Sequence, residues 1–96
     1  MRVFVDDDDA YRDWVDAHPA GYVVNANMPV NRRYLVLHDA GCSHVRRATA
    51  PAGHWTTHGY CKFCADDLEE LRSFAQSLGR ADGSFSKECA HCRGTK

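Results

Sequence analysis

Tyr34-Leu35-Val36-Leu37-His38-Asp39-Ala40-Gly41-Cys42 decides how the chain is read, together with Cys89-Ala90-His91-Cys92 near its end. The first stretch is an apolar run that closes on a histidine, crosses a Gly-containing turn and reaches a cysteine. The second is a Cys-x-x-Cys. Imidazole nitrogens and thiolate sulfurs hold zinc tetrahedrally, and a structural site commonly takes two ligand pairs from separated segments. The pattern predicts a Zn²⁺ site made by His38, Cys42, Cys89 and Cys92, which ties the strand at Tyr34–His38 to the C-terminal knuckle. The apolar run itself predicts a central, buried strand.

A second ligand set is open. Cys61, Cys64, Cys89 and Cys92 form a CxxC…CxxC pair with 24 residues between the halves, a stronger match as a bare motif. Placement disfavours it. Cys61 falls in a probable-strand pattern, where residues three apart point to opposite faces, whereas a metal knuckle needs a tight turn. A chain without metal is the third possibility.

Outward from this core, the N-terminal side reads as strand, helix, strand. Arg2 to Val5 suits a short strand. Asp6 to Asp9 then supply a cap and a favourable charge for a helix over about Asp7 to Ala17, with Ala10, Tyr11, Trp14, Val15 and Ala17 as its apolar face and Pro19 as its stop. The same aspartates could be read as a Ca²⁺ or Mg²⁺ site, but consecutive helical residues diverge and coordinate poorly together. Gly21 to Asn27 suits a second strand, antiparallel to Tyr34–His38 across a short loop containing Pro29.

On the C-terminal side, Cys42 to Arg46 suits one helical turn, and Arg47 to His58 a long loop that Trp55 pins to the body. Gly59 to Cys64 suits a fourth strand, with Cys61 and Phe63 on one side and Tyr60, Lys62 and Cys64 on the other. A second helix follows, capped by Asp66, with Leu68, Leu71, Ala75 and Leu78 on one face, Phe74 alongside and Gly79 as its end. Arg80 to Lys87 reads as a polar loop. The expected fold class is α+β: a small antiparallel sheet of about four strands, two helices and one structural zinc.

The chain has 96 residues, of which 44% are hydrophobic and 26% charged, so one globular domain over 1–96 is expected. A chain this short buries only about 60–65% of its unfolded surface, so a metal would add much to a thin core. Bound structural zinc is worth about 10 kcal/mol or more in apparent free energy. No apolar run approaches the roughly 20 residues of a membrane helix, and Val3-Phe4-Val5 runs into four aspartates, unlike a signal peptide. Five cysteines, an odd number, argue against a closed disulfide framework and for a reducing compartment, so a cytoplasmic location is expected.

Net charge is −1, which is not the footprint of a strong nucleic-acid binder. Apart from Asp6–Asp9, though, nine acids face twelve bases, and Arg32, Arg33, Arg46 and Arg47 share a stretch whose one acid is Asp39. Those four arginines are the candidate nucleic-acid contacts; solvated strand edges are the plainer reading. Tyr22, Tyr34, Trp55 and Tyr60 could add a base-stacking surface, or could simply fill the core.

Three further patterns have a plain reading beside a chemical one. Cys61-Lys62-Phe63-Cys64 ahead of a helix has redox-dithiol spacing, but Asp66 and Asp67 would raise the thiol pKa, and buried strand cysteines are the default. His54 and His58 are spaced for a helical metal pair yet lie in loop sequence. His91 sits inside the knuckle, where with Arg46 and Arg93 it could surround the ligand sulfurs. No spacing suggests a catalytic constellation, so a non-enzymatic module is expected.

From the strand ending in His38, through Cys42 and the helix near Asp66 to Leu78, to Cys89 and Cys92, the sequence resembles the Ada-like zinc-binding domains, the group typified by the adaptive-response DNA-repair protein. The resemblance spans about residues 34–93. It implies a structural zinc and a link to DNA metabolism in repair, restriction or defence. The chain departs from the pattern in a longer insertion around Arg46 to His58 and in His38, which stands where the repair protein has a methyl-accepting cysteine; methyl-acceptor activity is therefore not implied. The expected partner is DNA or another protein, with no membrane and no small-molecule cofactor beyond zinc.

Overall fold

The computed structural model describes residues 1–42, 56 and 59–89. Within them the chain forms β1 (Arg2–Phe4), α1 (Asp8–Ala17), β2 (Tyr22–Asn27), β3 (Leu35–Asp39), β4 (Tyr60–Ala65), α2 (Leu68–Ser77) and β5 (Lys87–Glu88). The strands make one sheet in the order β1-β4-β2-β3-β5. Every pairing is antiparallel except β3 with β5, which is parallel. The fold is α+β, as the sequence implies, with a fifth strand that the sequence reading placed in a polar loop.

Side-chain alternation splits the core into two layers. Val24, Ala26, Leu35, Leu37, Cys61, Phe63 and Ala65 pack with Leu71 and Ala75 of α2. Phe4, Val23, Ala40, Cys42, Cys64 and Cys89 pack with Tyr11, Trp14 and Val15 of α1. The helices therefore lie on opposite faces of the sheet.

The strand at the middle of the sheet is β2, not β3. The apolar run of β3 lies next to the edge and is covered there by the two-residue β5. The strand buried on both faces is β4, where every residue from Cys61 to Ala65 is hidden. Hydropathy understates this because β4 hides a lysine.

Both helices start with aspartate caps. Asp7 accepts from the Ala10 amide, and its neighbour Asp8 turns elsewhere. Ala17 is exposed, so the buried face of α1 is narrower than its apolar residues suggest. α2 is capped by Asp67 rather than Asp66: Asp67 accepts from the Glu69 amide at 2.9 Å, while Asp66 holds His18 Nδ1 at 2.9 Å. His18 also stacks on Trp14, with ring centroids 4.3 Å apart, which fastens the end of α1 to the end of β4. A side chain at Gly21 would meet Trp14 at 2.8 Å, so this turn requires glycine. Gly79 ends α2 with a positive φ of 109°, as its sequence position implies.

The anchor that the sequence places at Trp55 lies outside the described residues, but its neighbour Thr56 performs that role. Thr56 is fully buried. Its amide and hydroxyl both donate to Asp8, at 2.7 Å each, its hydroxyl accepts from the Asp7 amide and its carbonyl from the Asp6 amide. The aspartate run thus serves helix start and loop anchorage. None of the described helices is long and apolar enough to cross a membrane.

Candidate metal centre and its surroundings

Three separate pieces of backbone build the centre. His38 is the fourth residue of β3 and faces the α1 layer. A turn closed by the Cys42 amide on the Asp39 carbonyl brings Cys42 back under the strand end, and the Ala40 amide on the Gly21 carbonyl fixes that turn to the start of β2. Cys89 arrives through β5. The register Val36↔Lys87 and Leu37↔Glu88 carries the next residue, Cys89, alongside His38.

The β5 register is set by backbone groups. Ser86 clamps Leu35 with its amide and hydroxyl on the Leu35 carbonyl, while the Leu35 amide donates to Ser86 Oγ at 2.8 Å. The Cys89 amide then donates to the Leu37 carbonyl at 2.9 Å. Lys87 and Glu88 are exposed and contribute no apolar alternation, which is why this strand is invisible to pattern reading.

The result is a buried group whose ring nitrogen and two sulfurs lie within 4.8 Å of one another, with His38 8%, Cys42 4% and Cys89 5% exposed. One imidazole and two thiols at that separation are a donor set for a tetrahedral ion with bonds of about 2.0–2.3 Å. The donor chemistry fits zinc, and this group could hold a metal ion. Cys92 lies outside the described residues, as do His44, His54, His58, His91, Arg46, Arg47 and Arg93.

Cys61 and Cys64 are not brought together. Cys61 belongs to the α2 layer and Cys64 to the α1 layer, so the sheet separates them. Burial pushes the Cys64 thiol up to about 12, against the pull of Lys62 and Arg2, and pushes Cys61 up against Lys62. Both therefore stay protonated at neutral pH. The arrangement fits neither the two-CxxC ligand set nor a redox dithiol.

Arg32 and Arg33 lie in the β2–β3 loop, exposed, lining an open cleft of about 500 Å³ with Val30, Asn31 and Leu78. The loop is held by the Arg33 amide on Asn31 Oδ1 and by Arg80, which donates to the Arg32 carbonyl. Among the described residues, neither Arg32 nor Arg33 engages its guanidinium in a hydrogen bond or ion pair. Of the proposed stacking tyrosines, Tyr34 and Tyr60 are neighbours, with ring centroids 6.4 Å apart.

Sequence reasoning missed Lys62. It is 5% exposed, donates to Asn25 Oδ1 at 2.7 Å and lies 5.7 Å over the Tyr11 ring. Burial lowers its pKa to about 8, while Cys61, Cys64 and Asp8 act in the opposite direction. The available signal was a lysine on the same side of β4 as Cys64. Comparison with known proteins returned no match: no family model, no curated protein and no solved structure matches this chain.

Proposed function

We propose that the chain is a non-catalytic, zinc-stabilised binding module associated with nucleic acid, its ion held by His38, Cys42, Cys89 and Cys92. The observation that carries this is the convergence of three buried donors from two segments far apart in the chain, His38 with Cys42 and Cys89. Cys92 follows Cys89 at knuckle spacing and completes a His-Cys₃ set. Four protein ligands leave no position for water, so the ion stabilises and does not catalyse. The Ada-like resemblance and, among the described residues, the unengaged guanidinium groups of Arg32 and Arg33 support a role in repair, restriction or defence, in the reducing cytoplasm that the cysteine usage suits.

A protein-binding adaptor is the second reading. It is favoured by the β1 edge, where Met1, Val3 and Val5 are 46–48% exposed. Salt separates the two, since phosphate contacts weaken steeply with salt and apolar edge contacts do not.

The test is metal content by mass spectrometry of the native protein beside His38→Ala and Cys61→Ser. One zinc per chain, lost in the first variant and kept in the second, supports the site. The reverse pattern moves the ion to Cys61 and Cys64, and an absence of metal in all three removes the zinc module.

A further inference from the structure

The α1 face of the sheet carries a polar cluster that the metal centre does not use. Asn25 lies between Val36 on β3 and Lys62 on β4. Its amide is oriented by its partners: the carbonyl oxygen accepts from Lys62 at 2.7 Å, so the amide nitrogen donates to Tyr34 Oη at 3.3 Å. An amide nitrogen has two protons, and a phenol that accepts can still donate. Among the described residues nothing takes the second Asn25 proton or the Tyr34 hydroxyl proton. Two adjacent donors are therefore available, both on half-buried side chains.

An aromatic surface adjoins them. Tyr60 is 39% exposed and its ring neighbours that of Tyr34. Arg33 directly precedes Tyr34 in the chain, and among the described residues its guanidinium group is unengaged. There is no acid from Tyr22 to His38 or from Gly59 to Cys64. In the aspartate run, whose Asp8 acts on Lys62, Asp7 caps α1 and Asp8 holds Thr56.

We infer that Asn25, Tyr34 and Tyr60 form a docking site for one base of a single-stranded nucleic acid, with Arg33, the residue before Tyr34, on a flanking phosphate; Arg32 lies against Gly79 on the α2 side and takes no part. This rests on the nucleic-acid reading above and narrows it. Stacking on an exposed tyrosine is available to every base. The donor pair is selective. Guanine offers two neighbouring acceptors, N7 and O6, whereas adenine offers an acceptor beside a donor, so the site favours guanine. Lys62 is a positioning residue, because its bond to the Asn25 oxygen turns the amide protons toward Tyr34 and the ligand.

The test uses the full chain and fluorescein-labelled single strands of eight thymidines in which one central position is guanine or adenine. Fluorescence anisotropy is read at several salt concentrations, and zinc is measured on every preparation. The guanine strand should bind about tenfold more tightly than the adenine strand. Tyr60→Ala should weaken both strands by about tenfold. Tyr34→Phe keeps the ring and should bring the two strands to equal affinity. Arg33→Ala should reduce the salt slope by about 0.7. Zinc-loaded protein that binds neither strand, or binds both equally, overturns the inference and leaves the metal site untouched. Guanine preference in protein that holds no zinc supports the base site and overturns the zinc module instead.

Discussion

The two faces of the sheet are built by different means. On the α2 face, Leu35, Leu37, Phe63, Leu71 and Ala75 bury hydrocarbon, and Phe63 stacks on Phe74 at 4.1 Å. On the α1 face, the same sheet buries an imidazole, three thiols and a lysine amine. The first face gains from every group it hides. The second hides groups that cost free energy unless each finds a partner. A small fold can carry chemistry when one layer supplies the cohesion and the other is closed by specific bonds.

The strongest way to break the contrast is to remove the proposed ion. Chelation should lower the thermal midpoint by more than 10 °C, consistent with an apparent contribution of about 10 kcal/mol. Near-ultraviolet circular dichroism should register the change at Trp14 and Tyr11 of the α1 layer. An unchanged melting curve would mean that the α1 face holds without metal. Next, Leu71→Ala should cost about 2–5 kcal/mol in urea unfolding through the cavity it leaves. Zinc stoichiometry should stay at one per chain, because Leu71 belongs to the other layer.

Lys62 sharpens the comparison through pH. Its folded pKa of about 8 lies below the unfolded value, so between these two the unfolded chain binds more protons and stability rises with pH. The gain, about 3 kcal/mol if complete, begins near pH 8. The thiols of Cys61 and Cys64, raised by burial, act oppositely once unfolded thiols ionise near pH 9. Urea midpoints should therefore rise above pH 8 and level off or fall beyond pH 9. Lys62→Met should lose the rise and keep the fall. The smallest effect separates two adjacent aspartates: Asp67→Ala should cost about 1 kcal/mol as a lost cap, and Asp66→Ala less, since its His18 bond is exposed. Equal losses in thermal unfolding would undo the cap assignment.

Local chemistry made much of this legible. Helix 2 announced itself through Leu68, Leu71, Ala75 and Gly79, and His38 with Cys42 through the turn between them. Local sequence points to Asp66 as the cap, and only the tertiary position of His18, which takes Asp66, leaves that role to Asp67. β5 was illegible because its ladder uses backbone and one serine, leaving Lys87 and Glu88 to solvent. β4 was placed but underestimated: Lys62 reads as a surface residue until Asn25, Tyr11 and Asp8 are seen around it.

The shortness of β5 has a consequence for how copies of the chain meet. β3 presents Leu35, Val36 and Leu37 in a row, and the backbone groups of Leu35 and Leu37 on its outer side are met by Ser86 and Cys89. Among the described residues, this two-residue strand is the whole cover of that edge. An uncovered apolar edge strand is a template for another chain. The residue that ends the cover is Cys89, a member of the buried donor group. Whatever fastens Cys89 also holds the cover shut, so an ion bound at this group would be a guard against strand-to-strand aggregation as well as a brace for the fold.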